Sequence, residues 1–248
     1  MIKFFRKIRY NLMEQNKTGK YIKYAIGEIV LVMVGILLAL QVNNWNQKKQ
    51  NLTTMEQFLL EFKEELRYNI KDLNLELIFV EKQLEQKQNL LKNKRLDTIP
   101  LDTLENHITA RYVNLAYNPM PLKRFENSQL TEYGKYNSIF IQLQQFFGFQ
   151  WPRLEKFTIW QNNEVDAEDA FWRHEQNSYE LKLDSEGDTF INDSITRKKA
   201  LIELIKTPLV RNMLKADYSR KKDIKNFISN FKGTAENRFK KINKILDD

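Results

Sequence analysis

The chain has 248 residues, no cysteine and a formal net charge of +8 at neutral pH. The missing thiols exclude disulfides, thiolate metal sites and cysteine nucleophiles together. Residues 1–24 alone carry seven cations against one acid, while 44–248 carry 33 cations against 30 acids, so the basicity does not point to nucleic-acid binding.

The lead "MIKFFRKIRYNLM" reads as an amphipathic helix. On a helical wheel Phe4, Phe5, Ile8 and Leu12 cluster on one side, with Lys3, Arg6, Lys7, Arg9 and Tyr10 opposite. Such a helix lies along a membrane surface, so Lys3, Phe4, Phe5, Arg6, Lys7, Ile8 and Arg9 are the expected contacts with anionic lipid headgroups.

Next comes "YAIGEIVLVMVGILLALQVNNW" at 24–45. Of the eighteen residues from Ala25 to Val42, only Glu28 and Gln41 are strongly polar. As a helix the run covers about 27 Å, close to the ~30 Å of bilayer hydrocarbon. Tyr21 and Tyr24 on one side and Trp45 on the other stand where interfacial aromatics belong. Seven cations precede Ala25 and only Lys48 and Lys49 follow closely, which predicts a cytoplasmic N-terminus. "LLALQV" offers no small-x-small cleavage site, so a retained signal-anchor is expected. The predicted organisation is a cytoplasmic tail at 1–24, a transmembrane helix at 25–43 and an extracytoplasmic, periplasmic part at 44–248.

Glu28, Val32, Gly35, Ala39 and Asn43 fall on one face of that helix, and Gly35-x-x-x-Ala39 is a small-x-x-x-small motif. Positions 24, 25, 31 and 32, one turn from Glu28, carry no cation. The reading is a helix–helix interface, with Lys20 or Lys23 of a neighbouring chain facing Glu28, and a homo-oligomer follows from it. Snorkelling of Glu28 to the boundary is the rival account.

Beyond the membrane the pattern predicts helices and no sheet. A seam of Leu66, Ile70, Leu73, Leu77, Val80, Leu84 and Leu91, with a lapse at Lys87, marks a long helix over 47–95 that continues from the spanning one. Asp102-Thr-Leu-Glu105 has the form of a capping box opening a helix to about Tyr117, which "NPMP" at 118–121 ends. Shorter helices are expected at 125–133 and 138–147 around Gly134, then a longer one from Pro152 to about Lys182. "LDSEGD" at 183–188 reads as a loop, followed by helices at 195–206 and 208–246 divided at Thr207-Pro208. The fold expectation is all-α: one N-terminal transmembrane helix, then an extracytoplasmic antiparallel helix bundle whose first and last helices are long. Residues 96–190 hold 8 cations and 15 acids, and 191–248 hold 15 cations and 7 acids. Faces so polarised are expected to meet inside one bundle.

"MIKFFRKIR" and "YAIGEIVLVMVGILLALQVNNWN" closely resemble the start of an uncharacterised family of Bacteroidota membrane proteins, domain of unknown function 6090. "ENSQLTEYGKYNSIF" at 126–140 is similar to a second, weaker stretch, where members tend to form a Leu…Gly…Ile helical hairpin. The resemblance implies an envelope protein of the cytoplasmic membrane and supplies no activity.

Histidine, the commonest general base, occurs only at 107 and 174, and His174-Glu175 lacks the second histidine of a zincin helix. There is no Glu-x-x-His pair, phosphate-cradling glycine loop or nucleophile elbow. In "EVDAEDAFWRHE" at 164–175, Glu164 and Glu168 lie one turn apart and Asp169 can pair with Arg173. A solvated face with a local ion pair is the expected meaning, and Trp151, Phe157, Trp160, Phe171 and Trp172 are expected in the core. No catalytic residue, cofactor or metal site is expected. The functional expectation is a structural or interaction protein, an oligomerising scaffold with lipid and possibly another membrane protein as partners. An extracytoplasmic sensing domain acting through a separate signalling partner is the alternative, and a proton-coupled stator subunit a more distant one.

Overall fold

A computed structural model of the protein describes residues 6, 10, 18–128, 130, 133–182, 189–190 and 193–247. Among them there are helices and turns and no strand. The α-helices with described bounds are, in order, α1 (Thr18–Lys92), α2 (Leu101–Ile108), α3 (Met120–Asn127), α4 (Asn137–Gln145), α5 (Trp151–Ala170), α6 (Ser194–Lys206) and α7 (Pro208–Asp247). Two compact units divide the chain, residues 1–56 and residues 57–248.

The first unit holds the apolar part of α1, the one helix among the described residues long and apolar enough to cross a membrane. Its best window reaches a mean hydropathy of 2.4, and none of it is buried within the protein. Large apolar side chains from Ile22 to Val42 stand exposed all round, as in a helix whose solvent is not water. Arg6 and Tyr10 are helical and exposed. Lys3, Phe4, Phe5, Lys7, Ile8 and Arg9, and the side chains of Lys20 and Tyr21, lie outside the described residues.

In the second unit α1 packs with an alternating three- and four-residue step through Leu59, Phe62, Leu66, Asn69, Leu73, Glu76, Val80, Gln83, Lys87 and Leu90. This differs from the predicted seam. Ile70, Leu77, Leu84 and Leu91 are only half-buried flanks, and four polar residues take the inward positions between the apolar ones. α7 answers with Val210, Leu214, Asp217, Lys221, Ile224, Ile228, Phe231, Ala235 and Ile242. Contacts between the two helices run in opposite order. Asn74 meets Lys232, Glu81 meets Lys225, Lys87 meets Asp217, and the Leu91 carbonyl meets Arg211.

Aromatic rings fill one end of this unit. Phe125 of α3 stacks on Phe140 of α4 at 4.5 Å, which draws these two helices together across Gly134. That glycine sits at φ 48°, in the left-handed region where a side chain is disfavoured. Phe62 stacks on Phe147, and Phe146 on Phe231. The other end is an aliphatic cluster with Leu90, Leu104, Ile108, Trp172, Leu201 and Leu214.

Several predicted boundaries move. The helix expected from Asp102 to Tyr117 stops at Ile108, and no side chain caps its start at Pro100, so the capping box does not form. "NPMP" opens α3 rather than closing α2: Pro119 is its N-cap residue and Pro121 lies in its first turn. α4 runs into α5 without a loop, through a wider π turn at Phe146–Gln150. Pro152 has no N–H for the preceding turn, and a π turn just before it absorbs the mismatch. α5 ends in a second π turn, Phe171–Glu175, and not near Lys182. The last two helices match expectation closely: the Asp193 carboxylate caps α6, and the Thr207 hydroxyl accepts from Val210 N–H at 3.4 Å at the start of α7. The expected loop at 183–188 lies outside the described residues.

Candidate functional site

The segment 109–119 between α2 and α3 is extended and irregular, and side chains from distant helices bind its backbone. Lys87 of α1 donates to the carbonyls of Ile108 at 2.9 Å and Thr109 at 3.0 Å. Lys221 of α7 donates to the Arg111 carbonyl. Asn162 of α5 takes both backbone groups of Val113, its Oδ1 accepting from the N–H at 3.0 Å and its Nδ2 donating to the carbonyl at 2.9 Å. A non-helical strand of chain in a helical core must find partners for its backbone, and three helices supply them here.

Around this strap lies a buried layer of charge. Lys87, 1% exposed, pairs with the fully buried Asp217 at 3.2 Å. Arg220 reaches Asp217 at 3.7 Å, Glu164 at 3.8 Å and, more closely, Glu168. Burial pulls Lys87 below its ordinary value against the counter-effect of Asp217, and takes Lys221 down to about 8. Burial pushes Glu168 up, with Asp217 adding to the shift, and raises Glu76 as well. Each group is desolvated, and each is offset by an opposite charge or a backbone dipole.

A second cluster pins the far side of α2. The Tyr179 hydroxyl donates to Glu105, and Arg197 donates to the same carboxylate at 2.7 Å. Burial, then the hydrogen bond to Glu105, raises the Tyr179 phenol well above its usual range. The acidic middle and the basic end of the chain thus meet inside the unit, at Glu105–Arg197 and at Glu164/Glu168–Arg220.

Two open clefts flank the strap and share Asn106 and Arg111. The larger, about 670 Å³, mixes Asp102, Glu105 and Asp169 with Arg111, Arg173 and Lys182. The smaller, about 500 Å³, is lined by Phe79, Lys82, Gln83, Gln86, Thr103, Asn106, His107 and Arg111. Residues 28–129 match a family of unknown function, DUF6090. This is the family that the resemblance named; the match begins inside the apolar run of α1 and takes in α2, the strap and α3, and leaves residues 1–27 and 130–140 outside it. Lys87, His107 and Arg111 lie within it; Glu168, Asp217, Arg220 and Lys221 lie outside. No curated protein and no solved structure matches the chain.

Against the sequence expectations, the Asp169–Arg173 ion pair is present at 2.6 Å. Glu168 departs from the solvated face assigned to it: it is buried against Arg220. Trp151, Phe171 and Trp172 are buried, Phe157 is half-buried, and Trp160 is 47% exposed and so no core residue. Glu28, Val32, Gly35, Ala39 and Asn43 all lie on α1, where a Cβ added at Gly35 meets nothing within 4 Å. Lys87, Gln83, Asp217, Arg220 and Lys221 were not singled out as a site. The signal was the lapse at Lys87: a cation at an inward heptad position requires a buried acceptor.

Proposed function

We propose that this protein is a single-pass protein of the cytoplasmic membrane, N-terminus inside, that presents 44–248 outside as an antiparallel helix bundle. Its role is structural: an interaction module, self-associating through Glu28, Val32, Gly35, Ala39 and Asn43, with the basic tail on anionic headgroups. The observation that carries the reading is the first unit's apolar helix, exposed all round, with one face open at Gly35. In lipid, association depends on close van der Waals packing, and a face of Gly and Ala permits it where leucines do not. Exposed Tyr24 and Trp45 bracket the run at the depths where aromatics anchor. The buried charges of the second unit support a structural over a catalytic role. They are engaged with one another and with the strap backbone.

Energy transfer between two labelled populations of the full chain in liposomes tests this. Gly35→Leu is expected to lower transfer clearly, and Glu28→Gln to lower it modestly, by about 1 kcal/mol of association or less. Transfer unchanged by Gly35→Leu contradicts the interface.

A further inference from the structure

Among the described residues, no carboxylate lines the smaller cleft beside the strap. Its lining offers the Lys82 ammonium, the Arg111 guanidinium, the amides of Gln83, Gln86 and Asn106, the Thr103 hydroxyl and the His107 imidazole. Neither Lys82 nor Arg111, both exposed, makes an ion pair among the described residues. Gln83 is 2% exposed, and neither its Nε2 nor its Oε1 has a hydrogen-bond partner. The His107 Nδ1 is likewise buried and unpartnered. Native interiors rarely leave a buried amide with nothing at either end, and one that lines a cleft calls for a group that enters the cleft. Arg111 is held from behind, since its own carbonyl accepts from Lys221 and the neighbouring Thr109 carbonyl from Lys87. Because the backbone beneath it is fixed, binding has to order only the Arg111 side chain.

We propose that this cleft binds the oxyanion of a small organic ligand, a carboxylate or a phosphate monoester. Arg111 and Lys82 receive the charge, and the Gln83 amide donates from the floor. Phe79 gives the ligand's body an apolar wall, and His107, which burial and Lys87 keep toward the neutral form, offers its Nδ1 to a hydroxyl. The volume suits a ligand of a few to about twenty heavy atoms. The larger cleft sets three carboxylates against its three cations and so offers the same group no excess of positive charge. This site does not depend on the membrane interface.

The test is thermal unfolding and calorimetric titration of the full chain in micelles with inorganic phosphate and with glutarate, at matched ionic strength against sodium chloride. Either anion is expected to raise the midpoint. A shift with phosphate alone assigns the phosphoryl form of the ligand, and with glutarate alone the carboxylate form. Arg111→Gln, an exposed change that keeps the backbone contact to Lys221, should weaken binding about tenfold. Gln83→Met should leave the free protein's midpoint unchanged or higher and remove the anion-induced shift. Arg173→Gln, in the other cleft, should bind as the native chain does. No shift with either anion, an unchanged shift in Gln83→Met, or equal losses in Arg111→Gln and Arg173→Gln overturns the assignment.

Discussion

Replacing Lys87 with methionine keeps an unbranched side chain one atom shorter and removes its charge and its donors. Two carbonyls, of Ile108 and Thr109, lose hydrogen bonds of 2.9 and 3.0 Å, and Asp217 loses a cation at 3.2 Å. Asp217 is fully buried and retains Arg220, at 3.7 Å, and the nearby charge of Lys221. Breaking a buried pair from one side typically costs about 3–5 kcal/mol, because the other charge is stranded. Burial already works against the Lys87 ammonium, so its removal offsets part of that cost. We expect about 3 kcal/mol, which for a unit of this size lowers the midpoint by roughly 6–12 °C. Lys87→Met/Asp217→Asn removes the stranded carboxylate and should recover at least half of the loss. The assay is far-ultraviolet circular dichroism of the full chain in micelles, with hydrogen exchange reporting the strap. A single variant within about a degree of the native chain, or a double variant no better than the single, refutes the reasoning.

Stability should rise between about pH 8 and 10 through Lys221. Its folded pKa of about 8 lies below the unfolded 10.5, so the unfolded chain holds more protons in that window. Lys221→Met should flatten this part of the stability profile, whereas Tyr179, with its raised pKa, opposes the trend only above pH 10. Gln161 of α5 is fully buried with both amide atoms unpartnered, so Gln161→Leu should stabilise by about 1 kcal/mol in denaturant titration. Glu105→Gln keeps a group that accepts from Tyr179 and loses the charge facing Arg197. It should cost about 1–2 kcal/mol, and Arg197→Met in the same background should cost less than it does alone.

Helices whose signals are local were readable from the residues. Thr207 and Pro208 divide α6 from α7 to within a residue or two of the expected place, because a cap acts on its own first turn. Leu66, Leu73 and Val80 of the α1 seam are buried as read, and its alternate positions are shifted by one. Leucines at 77, 84 and 91 repeat as a seam should, yet Gln83 and Leu90 are the buried residues there and Glu76 turns to the Asn114 backbone, which the local repeat does not reveal. The early end of α2 has the same origin. Nothing in "NHITARYVNLAY" at 106–117 forbids a helix after Ile108; Lys87, Lys221 and Asn162, all remote in sequence, hold the backbone out of one. The strap and the clefts beside it are products of long-range contacts, so only the polar lapse at Lys87 hinted at them.

The reading as a whole rests on the helix from Ala25 to Val42 crossing a bilayer with the second unit outside. Fusions of alkaline phosphatase and of a cytoplasm-dependent fluorescent protein after Asp248, expressed in parallel in a bacterial host, test this directly. The account predicts an active phosphatase in the membrane fraction and a dark fluorescent fusion. A silent phosphatase with a bright fluorescent fusion would contradict it.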